Sequence, residues 1–273
     1  MTLAARSVFQ LGAVFLCTHA ALLAQSGGGT PTSGGPYTAT PQRPTFTADT
    51  ATTAPGTLEI EFGATGTSSF GGFFALPTNM KYTPDVRRGL LHRAEFSLGF
   101  DAVSSAATPG GRQTGFGQTL SLIIRRPVYV GKSFSLAVAP RSIFFLRDGR
   151  GARVGARLLA AYNFGLNAVI ANFTWTSATS SLATNPAQQY DVAFDYGIRL
   201  GESGWRQRTS LFAGFLTEKP KHHETSVTFG QGISYRLRPN YVLDFAVRER
   251  GLAAGPRGYE LLAGFTANLG RLQ

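Results

Sequence analysis

The charged side chains of this chain fall at every second position of its apolar stretches. In RAEFSLGFDA (93–102), Arg93, Glu95 and Asp101 alternate with Ala94, Phe96, Leu98, Phe100 and Ala102. In YDVAFDYGIRL (190–200), Asp191, Asp195 and Arg199 alternate with Tyr190, Val192, Phe194, Tyr196, Ile198 and Leu200, and GTLEIEFGA sets Glu59 and Glu61 against Leu58, Ile60, Phe62 and Ala64. A repeat of two places the charges on one face of a strand and the apolar groups on the other. The same reading adds Arg125, Arg141, Arg153, Arg157, Arg236, Asp244 and Arg248 to the charged faces. Guanidinium and carboxylate groups turned into a closed interior can act in two ways. They can line a hydrated path that favours ions of one sign, or they can pair across neighbouring strands and fill a narrow space. The sequence leaves both open, and one set of residues can do both.

Other chemistries find little support. A hydroxyl nucleophile needs a base within hydrogen-bonding reach, and beyond the N-terminal region the chain offers only His92, His222 and His223, none two residues from a serine on an expected strand. No catalytic residue is expected. The single Cys17 lies in the N-terminal apolar stretch, so a processed chain would have no disulfide, thiolate or cysteine-ligated metal. His222 and His223 sit in a polar loop beside Glu224, where a solvated loop is the simpler account, and no metal or cofactor is expected. The glycines recur inside alternating segments instead of opening a helix, which excludes a phosphate loop. The formal charge of +11 is spread in runs no longer than two, unlike the clusters that bind nucleic acid.

The elements that must position these charges are strands throughout. Only 15% of residues are charged, against about 25% in a soluble domain, while 43% are hydrophobic. Residues 1–24 have the basic start and uncharged apolar run of an export signal. Residues 25–55 contain SGGGTPTSGGPYTATPQ (26–42), a composition that reads as a flexible periplasmic leader, and the sequence leaves open whether it enters the barrel as a plug. From 56 to 273 the alternation predicts about twelve strands: 56–64, 74–83, 93–102, 119–125, 133–138, 153–164, 168–176, 190–200, 210–217, 227–237, 241–248 and 260–269. Pro77 makes the second of these the weakest. Short connections such as NFGLN (163–167) and RPN (238–240) fall on one side and longer ones such as SATSSLATNPAQQ (177–189) and TEKPKHHET (217–225) on the other. An even strand count with that asymmetry predicts an all-β, closed antiparallel transmembrane β-barrel of the bacterial outer membrane, with short periplasmic turns, longer outer loops and both termini periplasmic. A soluble periplasmic barrel would show the same alternation with its faces reversed. Tyr162, Phe164, Trp175, Tyr190, Trp205, Tyr235 and Tyr241 lie where interfacial girdles would form. The uncharged stretch LLAAYNFGLNAVIANF is broken by three asparagines and a glycine, so it reads as a hairpin and not as a membrane helix.

RPTFTADTATTAPGTLEIEFG (43–63), followed by ALPTNMKYTPD (75–85), resembles the opening of the outer-membrane family of meta-pathway phenol-degradation proteins. The likeness is carried by Asp49, Thr50, Pro55, Gly56, Glu59 and Glu61, then Leu76, Pro77, Lys81 and Tyr82. It implies an outer-membrane barrel that passes small hydrophobic or aromatic compounds. With the alternation, it leads to the expectation of a channel for passive passage of small solutes. A non-conducting barrel serving as surface anchor or interaction protein is the alternative, because a narrow barrel filled by arginines leaves little lumen. Expected partners are outer-membrane lipid and lipopolysaccharide, the barrel-assembly machinery and an unidentified small solute, with no nucleic acid.

Overall fold

The alternating segments form strands that hydrogen-bond only to neighbours in chain order, apart from one seam. The computed structural model describes residues 38–42, 45–68, 73–89, 91–108, 111–115, 119–146, 151–179, 188–254 and 257–272. The expected signal, 1–24, lies outside the described residues. The strands are β1 (Thr57–Thr67), β2 (Phe73–Tyr82), β3 (Glu95–Thr108), β4 (Gly111–Gly115), β5 (Thr119–Val130), β6 (Phe134–Phe145), β7 (Ala152–Phe164), β8 (Asn167–Ala178), β9 (Gln188–Arg199), β10 (Thr209–Pro220), β11 (Ser226–Arg238), β12 (Tyr241–Arg250) and β13 (Gly258–Arg271). β4 and β5 are successive pieces of one wall position, since both pair with β3: β4 with its 104–108 end and β5 with its 95–100 end. The wall therefore has twelve positions, and antiparallel pairing of β1 with β13, Thr57 opposite Arg271, closes it. No helix among the described residues is long and apolar enough to cross a membrane, and the uncharged stretch from Leu158 becomes the β7–β8 hairpin.

The end of the barrel where β1 begins and β13 finishes is called here the turn end. Its connections 131–133, 165–166 and 239–240 are tight, and Gly165 takes the left-handed φ of 59° that so short a hairpin demands. Two others are long: 83–94, and 200–208, which contains the helical turn Gly204–Arg208.

Which face of each strand points inward is the information that a repeat of two lacks. In β1, Glu59 and Glu61 are fully buried while Phe62 is 38% exposed; in β12, Asp244 is buried between Leu243 at 45% and Phe245 at 47%. Leu122, Leu158, Phe173, Val192 and Leu261 are likewise exposed, and Lys81, Glu95, Arg125, Asn172, Thr174 and Asp195 are buried. The barrel is apolar outside and polar inside. The buried apolar cluster is small, Ala137, Ala139 and Leu159, so cohesion comes from the sheet's hydrogen bonds and the polar interior.

Candidate functional site: a charged lumen occupied by an arch

The segment expected to be a flexible leader is, over its described part, the filling of the barrel. Residues 38–42 and 45–55 form an arch with both feet at the turn end: the Ala39 N–H donates to the Pro239 carbonyl at 2.9 Å, and the Gly56 N–H to the Thr83 carbonyl at 2.6 Å. The correction has a physical reason. A Thr-rich segment with little apolar surface cannot order itself in water, but its N–H and carbonyl groups are ordered when a wall of fixed charges meets them.

Carboxylates of the wall accept the arch's backbone N–H groups. Glu59 accepts from Thr40 at 2.6 Å, Glu61 from Gln42, Asp195 from Thr47 at 2.6 Å and Glu95 from Thr53 at 2.7 Å. Cations and amides donate to its carbonyls: Lys81 to Thr40 (2.7 Å), Arg125 to Asp49 (2.8 Å), Arg248 to Thr45 (3.2 Å), Arg236 to Ala39 (3.2 Å) and Asn268 to Thr38 (3.1 Å). Asn172, with its amide turned to suit both groups, accepts from the Ala48 N–H and donates to the Ala48 carbonyl. Threonine hydroxyls add contacts, Thr47 to Asp195 at 2.6 Å, Thr50 with Ser135 at 2.6 Å and Thr53 with Thr83 at 2.7 Å. At the crown the Arg248 guanidinium lies 4.4 Å from the centre of the Phe46 ring. Gly230 faces that ring, and a Cβ there would come within 2.8 Å of it, so a side chain at this position would push the ring or the Arg248 stem aside.

The wall charges form three groups, one of them Glu260 of β13 with Arg248 and Arg250 of β12. On β1–β5, Lys81 bridges Glu59 and Glu61, and Arg125 pairs with Glu95. On β6–β9, Arg141 sits between Arg153 and Arg157 because its opposite residue on β7 is Gly155. Arg157 donates to Thr174 at 3.1 Å and Arg153 to Gln189 at 2.9 Å, and Gln189 donates in turn to Asp191 at 2.7 Å. Neither Arg141 nor Arg157 makes an ion pair among the described residues, and the Nε of Arg141 is buried without a partner. A cavity of about 130 Å³ remains between arch and wall, lined by Gln42, Thr47, Glu95, Arg125 and Arg157 among others.

Of the charges expected to line the lumen, Glu95, Asp101, Arg125, Arg141, Arg153, Arg157, Asp191, Asp195, Arg236, Asp244 and Arg248 lie on the inner face, Asp101 accepting from Thr119 at 3.1 Å. Arg93 and Arg199 do not join them. Arg93 precedes β3, exposed, with a left-handed φ of 58°, and Arg199 is exposed at the last position of β9. Arg93 lies two residues before its strand begins, whereas Arg199 keeps the inward parity of Asp191 and Asp195 but stands at the open end of β9, in solvent. Glu218, opposite Asp191, and Glu260, paired with Arg248, are interior charges that this reasoning missed, and so is Lys81. Its partners Glu59 and Glu61 were the available signal, since two buried carboxylates on one strand call for a cation on the next. His92 is tied to the Val86 carbonyl at 2.8 Å outside the barrel, and no group of three His, Cys, Asp or Glu among the described residues could hold a metal.

Apolar exterior, charged interior and a closed ring of twelve antiparallel strands define a β-barrel of the outer-membrane type. Among solved structures its fold resembles an outer-membrane channel from Pseudomonas putida F1, with a TM-score of 0.58 at 12% identity over 86% of this chain and 98% of the other. It also resembles the NanC porin (TM-score 0.53, 8% identity, 77% of this chain and 100% of the other) and the KdgM porin (0.51, 8%, 77% and 98%). No protein-family model matches the chain, and no curated protein matches it in sequence.

Proposed function

We propose that this protein is an outer-membrane channel for passive passage of small solutes, with the 38–55 arch as the element that closes it. The observation that carries this reading is the inversion of polarity across the wall: Lys81, Glu59 and Glu95 are fully buried inside while Leu158, Phe173 and Phe245 face outward. A soluble barrel would bury the second set and expose the first. Apolar groups outward suit lipid, and fixed charges inward suit a hydrated path. An even number of wall positions with both ends of the barrel chain on the turn end supports a periplasmic location for that end. The resemblance in residues 43–85 implies hydrophobic or aromatic cargo, but an interior of threonine, asparagine, arginine and carboxylate favours small polar solutes that can exchange hydrogen bonds with it. Fold likeness to porin-type channels supports transport over catalysis, and no enzymatic activity belongs to the proposal.

The arch itself favours a second reading, a barrel closed for good that serves as anchor or interaction protein. Planar-bilayer recording separates the two. The chain processed after residue 24 should give rare, brief conductance steps, and a variant lacking 25–55 should give sustained ones. Silence from the shortened barrel, shown to be folded and inserted by its heat-dependent gel mobility, would remove the channel reading and leave the scaffold.

A further inference from the structure

Among the described residues, exposed charge is concentrated at the turn end. Arg87 and Arg88 project from the β2–β3 connection, Lys132 from β5–β6, Arg206 and Arg208 from β9–β10, and Arg238 and Arg271 from the ends of β11 and β13, all exposed. Asp85 and Glu202 are the exposed acids there among the described residues. At the opposite end the described residues show a sparser, mixed set, with Lys219, Lys221 and Arg257 accompanied by Glu224.

We propose that this rim is a collar for anionic phospholipid headgroups of the adjoining leaflet. Three observations carry it. The basic groups stand at or beside four of the five turn-end connections and at the end of β13 around a closed sheet, so they encircle the barrel. A headgroup layer surrounds a barrel in that way, whereas an acidic soluble protein would meet a patch on one side. Aromatic rings face outward just inside the rim, with Tyr162 and Phe164 stacked at 5.6 Å and Tyr129 and Phe134 6.2 Å apart, and such rings rest at headgroup level. On the helical turn, Arg206 lies 5.7 Å from the ring centre of the exposed Trp205, which presents a cation and an amphipathic ring together. Each basic residue held near an anionic surface adds attraction that fades within a Debye length. Phosphatidylglycerol or cardiolipin would thus gather at this rim in preference to zwitterionic lipid.

The inference rests on the membrane reading above, and one experiment tests both separately. The chain has two tryptophans, Trp205 at the turn end and Trp175 in the opposite half of β8, so Trp175→Phe and Trp205→Phe each leave one reporter. Each variant is inserted into phosphatidylcholine vesicles containing phosphatidylglycerol, with either lipid carrying brominated, fluorescence-quenching chains. At equal mole fraction the phosphatidylglycerol should quench Trp205 about threefold more than phosphatidylcholine does, and Trp175 about equally. About 1 M salt should erase the difference, as should Arg87→Gln with Arg88→Gln, Arg206→Gln and Arg208→Gln. If that combined variant does not insert, the salt titration decides. Insertion with equal quenching of Trp205 by the two lipids overturns the collar alone and leaves the rim to an acidic soluble partner. Failure to insert into any vesicle overturns the membrane reading and the collar with it.

Discussion

The two sides of the lumen wall solve the problem of interior charge differently. On β1–β5, Lys81 lies between Glu59 and Glu61, Arg125 meets Glu95, and the oxygens and N–H groups left over are taken by the arch. On β6–β9, Arg141, Arg153 and Arg157 stand together on adjacent strands, Arg157 donates to the neutral Thr174, and Asp191 is a carboxylate that acts on all three. Charges taken out of water hold a structure together only when every partner is present. The first side thus serves as the seat of the arch. Cations without an ion pair raise the local concentration of anions, so on the proposed function Arg141 and Arg157, which make none among the described residues, are the ones to govern which ions enter.

That contrast is broken or sharpened by substitution. Lys81→Met leaves two carboxylates buried without a cation and should cost about 3–5 kcal/mol, read as a fall in the urea midpoint of the inserted barrel. Adding Glu59→Gln and Glu61→Gln should restore most of it. Asp195→Asn weakens two charge-assisted bonds to Thr47, interactions worth about 1.5–3 kcal/mol each at full strength. The fraction of time open in bilayer recordings should then rise about tenfold, with the barrel's unfolding midpoint nearly unchanged. Arg141→Ala and Arg157→Ala should move the reversal potential under a salt gradient toward cations while changing stability by less than about 1 kcal/mol. If Arg157→Ala destabilises as much as Lys81→Met, the two sides are the same kind of structure and the contrast fails. Lys219→Ala, on the exposed loop end, should change neither quantity beyond about 0.5 kcal/mol.

All twelve wall positions were legible in the sequence, because alternation is a local property and lipid on one side with water on the other keeps it strict. The β4 piece was not, since GRQTG has no apolar alternation and is a strand only through its pairing with β3. Lys81 escaped because Pro77 lowers the weight of its segment, yet Pro77 is accommodated where the β2–β3 register shifts. The arch was illegible for a deeper reason. Its order resides in the wall, where three strands place Glu59, Glu61, Glu95 and Asp195 at the distances its N–H groups need, and no local pattern in residues 38–42 and 45–55 records those distances. Arg93 shows the opposite failing, a periodicity carried two residues beyond the start of its strand, and Arg199 shows that a correct parity does not bury a side chain at the open end of the barrel.

The seam between β1 and β13 also imposes an order of events. Leu58 meets Gly270, and Phe62 meets Phe265, across nearly the whole chain, whereas every other wall contact joins near neighbours in sequence. Contacts of such separation form last, after the loop between them has been organised. The arch is attached directly to β1, so the strand that closes the ring also brings in what fills it. Synthesis delivers the filling first and the ring's final strand last, and a chain stopped before β13 would leave the carboxylates of β1 facing an open edge. The completeness of the barrel and the occupancy of its interior are in this way a single event in folding.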